Sequence, residues 1–206
     1  ILNKEQRGYV TPQEFNLFAN QAQLDIFEQY FYDINQFGRI PGNSTEYSDM
    51  LNILNEKINV FAKTAALAYD TDHFNKPNDF YRLGTIIYNS NEVDRLNKNE
   101  YLYIKNTPIV APTNAFPVYV EAESGYNVYG TAELTTGVTC NYIKRPATAE
   151  WAGALINGSL VNDAGNSVDF ELHPSEETEL VYKILELAGI AIKDPSVYQI
   201  GNQMES

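Results

Sequence analysis

The sequence predicts an α+β protein with an N-terminal helical hairpin, an antiparallel β domain of barrel or sandwich type and a C-terminal helix, and three observations predict it. Apolar residues recur at helical spacing from Thr11 to Gln36 and again from Tyr47 to Ala65. From Phe80 the pattern changes to short aromatic and β-branched runs punctuated by Gly and Pro. A last helical run, Leu180 to Ala188, follows His173-Pro174. These runs divide the chain into an arm and helical hairpin over 1–69, a β domain over 70–172, and a helix and tail over 173–206 that pack on the helical layer.

The polar stretch Leu2 to Val10 reads as an arm leading into the first helix. Thr11 is a good N-cap, Pro12 suits the first helical position and Glu14 can close a capping box. At about 100° per residue, Phe15, Phe18, Ala19, Ala22, Ile26 and Tyr30 form one apolar stripe. Leu17, Leu24, Phe27, Phe31 and Ile34 form a second on nearly the opposite side, separated from the first by Asn16, Asn20 and Gln23 along one flank. Leaving the second stripe in water would forgo on the order of 10 kcal/mol, so each stripe needs a cover. The cover is either another part of the same chain or a neighbouring subunit.

Phe37-Gly38 and Pro41-Gly42-Asn43 end this helix. Tyr47, Met50, Leu51, Leu54, Ile58, Phe61, Ala62 and Ala65 predict a second amphipathic helix of about five turns, paired with the first. Asp70 to Asp79 reads as a polar loop. Strands are expected at 80–88, 101–105, 117–121, 126–129, 138–144, 154–156, 160–161 and 168–172, with Asn157-Gly158 as a hairpin turn. The final helix starts at His173-Pro174 and is capped by Gly189, and a polar tail follows from Gln199.

A length of 206 residues is ample for a buried core, and 15 Tyr with 10 Phe suit packed contact surfaces. The formal net charge of -13 argues against a surface that clings to nucleic acid or anionic lipid. Cys140 is the single cysteine, so an intrachain disulfide is excluded. No run of 18 apolar residues is present and no membrane partner is expected.

Catalytic chemistry is not expected. The P-loop, G-x-G-x-x-G, G-x-S-x-G and H-E-x-x-H patterns are absent. Asp70, Asp72 and His73 lack the Gly and closing Glu of a calcium loop and read as a solvated turn, so no metal or cofactor is predicted. Cys140 lies in a strand pattern and reads as a small buried hydrophobe. The pairs Glu121/Glu123 and Asp169/Glu171 would share a strand face, as glycosidase carboxylates could, yet such pairs are common on solvated faces. Lys144-Arg145-Pro146, between Tyr142 and Trp151, is the one basic-aromatic knot. It reads either as a strand end paired with carboxylates or as an anchor to an acidic neighbour.

Four stretches in order, Asn3 to Phe31 (NKEQRGYVTPQEF…IFEQYF), Asp79 to Leu83 (DFYRL), Asn141 to Pro146 (NYIKRP) with Trp151, and Asp169 to Glu177 (DFELHPSEE), carry a resemblance over nearly the whole chain. Together they resemble virion structural proteins of tailed bacteriophages, notably crAss-like phages with short tails. The resemblance implies a neck component assembled in the bacterial host cytoplasm: a homo-oligomeric ring, twelvefold to follow the portal, stacked between portal and tail with DNA passing through its lumen. A closed ring requires two unlike contact faces on each subunit. The expected contact residues are Leu17, Leu24, Phe27 and Phe31, with Tyr142, Arg145 and Trp151 beside them. An acidic lumen would let DNA pass without adhering. The competing readings are a virion attachment adaptor, with a glycan-binding β module, and a carboxylate hydrolase.

Overall fold

A computed structural model describes residues 10–37, 45–156 and 159–192. The expected arm before Val10, the connection around Pro41, the Asn157-Gly158 turn itself and the polar tail lie outside the described residues. In chain order the elements are α1 (Pro12–Phe37), α2 (Thr45–Asn59), β1 (Ala62–Ala66), β2 (Tyr69–Asp70), β3 (His73–Asn75), β4 (Phe80–Tyr88), β5 (Asn91–Glu92) and β6 (Asp94–Leu96). There follow α3 (Lys98–Ile104), β7 (Val118–Glu121), β8 (Gly125–Tyr129), β9 (Val138–Lys144), β10 (Gly153–Ile156), β11 (Ser159–Asn162), a 3-10 turn (Pro174–Glu176) and α4 (Glu177–Ile192). The fold is α+β, with a long N-terminal helix, a β domain and a C-terminal helix.

Two compact units share the chain: Phe61–Arg145 is one, and Ile1–Val60 with Pro146–Ser206 is the other. The divisions fall at 60/61 and 145/146, where the sequence pattern had suggested 69/70 and 172/173. Residues 146–172 thus join the helices.

In the helical unit, α1 starts as its cap predicts: the Thr11 amide donates to Glu14 Oε2 at 2.8 Å and the Glu14 amide to Thr11 Oγ1 at 3.2 Å. It packs against both α2 and α4. Ala19, Ala22, Ile26 and Tyr30 of the first stripe are buried, with Leu54 and Ile58 from α2 and Leu180 and Ala188 from α4. The flank carrying Asn16, Asn20 and Gln23 is not a solvent boundary. It grips an extended strap, residues 147–151. Asn16 Nδ2 donates to the Trp151 carbonyl (3.2 Å) while its Oδ1 accepts from the Trp151 amide (2.9 Å). Asn20 does the same to Ala149, at 2.7 and 2.8 Å. Gln23 donates to the Ala147 carbonyl at 2.8 Å and accepts from the Glu171 amide at 3.1 Å, and Glu171 Oε2 accepts from the Ala147 amide at 2.8 Å.

The spacing explains why these residue types stand here. Alternate residues of an extended strand lie about 6.7 Å apart and turn both backbone groups to the same edge. Four helical residues rise about 6.0 Å, so Asn16 and Asn20 meet Trp151 and Ala149 in step. Gln23 is only three residues on, and its extra methylene makes up the shorter rise. On the other edge of the strap, Glu150 exchanges backbone bonds with Val168 at 3.0 and 2.7 Å. The strap is thereby bonded on both edges, one of them by side chains standing in for a strand. This bridge is also all that forms of the strand expected at 168–172.

Two expected helix ends move. The second helix stops at Asn59, and Ala62–Ala66 pair with Ile143–Thr139 of β9 instead. Helical spacing at 61, 62 and 65 is local information, and pairing with β9 overrides it. Gly189 lies buried inside α4, which runs on to Ile192, rather than capping it.

In the second unit, one sheet has the order β1-β9-β4-β5 and another β2-β3-β8-β7-β6. Burial alternates along β9, where Val138, Cys140 and Tyr142 point inward. They join Ile86 of the first sheet and Phe74, Tyr119, Tyr126 and Val128 of the second in one apolar cluster. Cys140 is buried as expected, and burial pushes its thiol up to about 11. The Asp70 to Asp79 stretch is not simply a loop: β2 and β3 form a hairpin, with Thr71 at φ +53° in its turn. Gly125 allows β3 and β8 to meet, because a Cβ there would stand 1.9 Å from the Phe74 carbonyl oxygen.

The pair β6/β7 is parallel, so the chain must cross over between them. The crossover contains α3, where the sequence pattern had suggested a strand at 101–105. Its capping residues, Asn97 and Glu100, are joined by a 2.9 Å bond from the Asn97 amide to Glu100 Oε2. Tyr101 of α3 stacks on Tyr129 with ring centroids 4.1 Å apart.

Candidate functional site

The seven expected contact residues separate into three groups. Phe27 and Tyr142 are corrected: both are buried within the described chain. Phe27 lies edge-on to Phe31, with centroids 5.1 Å apart. Tyr142 sits in the inward row of β9 and donates its hydroxyl to Asp79 at 2.7 Å. Asp79 also accepts from Lys63 at 2.8 Å, and these two bonds hold its carboxyl below the usual range. Leu24, Phe31 and Trp151 are half-buried. Leu17, 66% exposed, and Arg145 remain on the surface.

Trp151 borders a cleft of about 170 Å³ in the helical unit, lined also by Phe15, Ala19, Val168 and Phe170, with Asp169 at its side. The strap that α1 holds is one wall of this cleft.

A second arrangement was not legible in the sequence. Ser124 Oγ lies 2.7 Å from His73 Nε2, and His73 Nδ1 lies 2.6 Å from Asp72 Oδ1. The residue types and their order match a serine-hydrolase relay. The Asp72 side chain, however, is 79% exposed, so water competes for the carboxylate that such a relay must hold fixed. Asn127 Nδ2 also donates to the Asp72 carbonyl, and the bonds together latch the β2-β3 hairpin to β8 and to the turn before it. Among the described residues, no three His, Cys, Asp or Glu side chains gather as a metal site.

Among the described residues, the most exposed apolar side chains lie in the crossover between β6 and β7. Leu102, Tyr103, Ile109 (95% exposed), Val110 and Phe116 (78%) all face water there. Its backbone is nonetheless internally bonded: Thr107 to Ile104, Val110 and Ala111 to Thr107, and Thr113 with Phe116 in both directions, at 2.9 to 3.2 Å. Asn114 Oδ1 accepts from the Thr131 amide at 3.0 Å and ties the crossover to the strand side. The apolar side chains are therefore displayed on an ordered frame, the condition in which docking loses least entropy.

Comparison with protein-family models gives no match, and comparison with curated proteins gives none either. No described helix is long and apolar enough to cross a membrane.

Proposed function

We propose that this chain is a non-enzymatic structural protein of a phage virion, the repeating subunit of a ring in the neck between portal and tail. The observation that carries this reading is the presence of unlike exposed surfaces on the two units. One is α1, with Leu17 and Tyr32 outward, and the other is the apolar crossover around Ile109 and Phe116. A ring that closes by rotation needs two such surfaces on every copy. The resemblance of the four sequence stretches to short-tailed phage virion proteins supplies the neck assignment. A net charge of -13 suits a channel wall past which DNA must slide, because it removes attraction to phosphate.

Light scattering on the chain purified alone and with a portal tests the reading, together with electron microscopy of particles. The expected result is a multi-copy ring, twelvefold where it meets the portal, with an acidic lumen. A chain that stays monomeric in both conditions and is missing from the neck would defeat the reading, and a basic lumen would defeat the channel argument.

The cleft beside Trp151, Phe15 and Phe170 favours a second reading, an attachment adaptor whose aromatic rings stack on a sugar. Binding of the whole chain on a glycan array, abolished by Trp151→Ala, would move the assignment there.

A further inference from the structure

We infer that the β6-β7 crossover of one copy docks on the outward face of α1 in a second copy of this chain, a head-to-tail contact. The inference rests on the ring reading and adds which surface meets which. Leu17, Gln21, Asp25, Glu28 and Tyr32 are all exposed and recur at spacings of four, four, three and four, so they form one face about 22 Å long. The half-buried Leu24 and Phe31 border it.

Charge selects the partner. Residues 12–37 carry Glu14, Asp25, Glu28 and Asp33 and no Lys or Arg. In a chain of net charge -13, the crossover is a local exception: residues 98–116 hold Lys98 and Lys105 against Glu100 alone. Both lysines are exposed, and among the described residues neither is in an ion pair with a carboxylate. Two copies meeting α1 to α1 would bring acidic faces together, whereas α1 to crossover places lysines against carboxylates around apolar centres. The two surfaces lie on different units, so each copy offers one of each and the contact can propagate from copy to copy.

The test is photo-cross-linking with benzoylphenylalanine in place of Ile109, in the full chain at assembling concentration and again with portal present. It is joined to a charge exchange between Lys98→Glu/Lys105→Glu and Asp25→Lys/Glu28→Lys. The expected products map to residues 17–32 of another copy. Each charge-reversed pair alone should weaken self-association at least tenfold at low salt, and the combined variant should restore it to within a few-fold. Cross-links to a different part of a second copy would overturn this pairing and leave the ring standing. Cross-links to a different virion protein would overturn the second copy as occupant. Absence of any product together with a monomer in both conditions would overturn the pairing and the ring reading alike.

Discussion

The two flanks of α1 reverse what polarity alone suggests. Gln23, an amide, is 1% exposed, whereas the tip of an apolar stripe, Leu17, stands in water. The difference lies in partners. An extended strap presents backbone groups at a spacing that amides four residues apart on a helix can match, and once matched they are worth burying. Leu17 has no such neighbour among the described residues. Hydrophobic pattern therefore reports which side chains can be buried, and geometry decides which are.

The largest expected effect breaks the buried flank. Gln23→Ala strands the Ala147 carbonyl and the Glu171 amide and should cost about 3 kcal/mol in denaturant unfolding. Trp151 is the single tryptophan and sits on the strap, so its fluorescence reports on the seam directly. An unchanged midpoint would mean that the strap does not depend on the amides.

Next comes the ion pair of Lys57 with Glu176, whose carboxylate also accepts from Ser175 at 2.9 Å. Burial pulls the Glu176 carboxyl up, but the hydrogen bonds from Lys57 and Ser175 outweigh it and hold the group below its ordinary value. Its contribution is thus complete above the unfolded value of 4.5 and is lost as pH falls through the depressed folded value. Lys57→Ala should cost about 2 kcal/mol at neutral pH. Glu176→Gln should flatten the acid limb of a stability profile; an unaltered limb would show that other carboxyls set it.

Tyr30 offers a gain. Its hydroxyl is buried with no hydrogen-bond partner among the described residues, and burial pushes its ionisation up. Tyr30→Phe should therefore stabilise by about 0.5–1 kcal/mol, and a loss of that size would reveal a hidden acceptor. The smallest effect belongs to the exposed tip. Leu17→Ser should change monomer stability by less than about 0.5 kcal/mol while weakening self-association, which separates surface use from folding.

Much of the framework could be read in advance. The 80–88 and 138–144 runs are long and rich in aromatic and β-branched residues, and their strands match residue for residue. The cap at Thr11 and the Pro174 start of the last helical stretch were equally legible, because capping chemistry is local. Strands of two or three residues such as β2, β3, β5 and β6 contain too few positions for any period. The short α3 was signalled only by Asn97 and Glu100, a capping pair outweighed by the aromatic run after it. The exposed apolar residues at 102–116 were not legible because they follow neither a helical nor a strand period: Leu102-Tyr103 and Ile109-Val110 are adjacent pairs and Phe116 stands apart. The strap was invisible for a different reason: the amide spacing is plain in α1, but its partner lies 135 positions further on.

That separation bears on how the chain is made. At about 5–20 residues per second, α1 leaves the ribosome on the order of 10 s before Trp151 does, with its amides and apolar stripes uncovered. Meanwhile the Phe61–Arg145 unit can close by itself, and its ends meet where the Lys144 amide donates to the Phe61 carbonyl at 2.9 Å. Once closed, it takes its own length out of the loop between α1 and the strap, and because closure entropy grows only with the logarithm of loop length, this lowers the cost of seating the strap by about 1 kcal/mol.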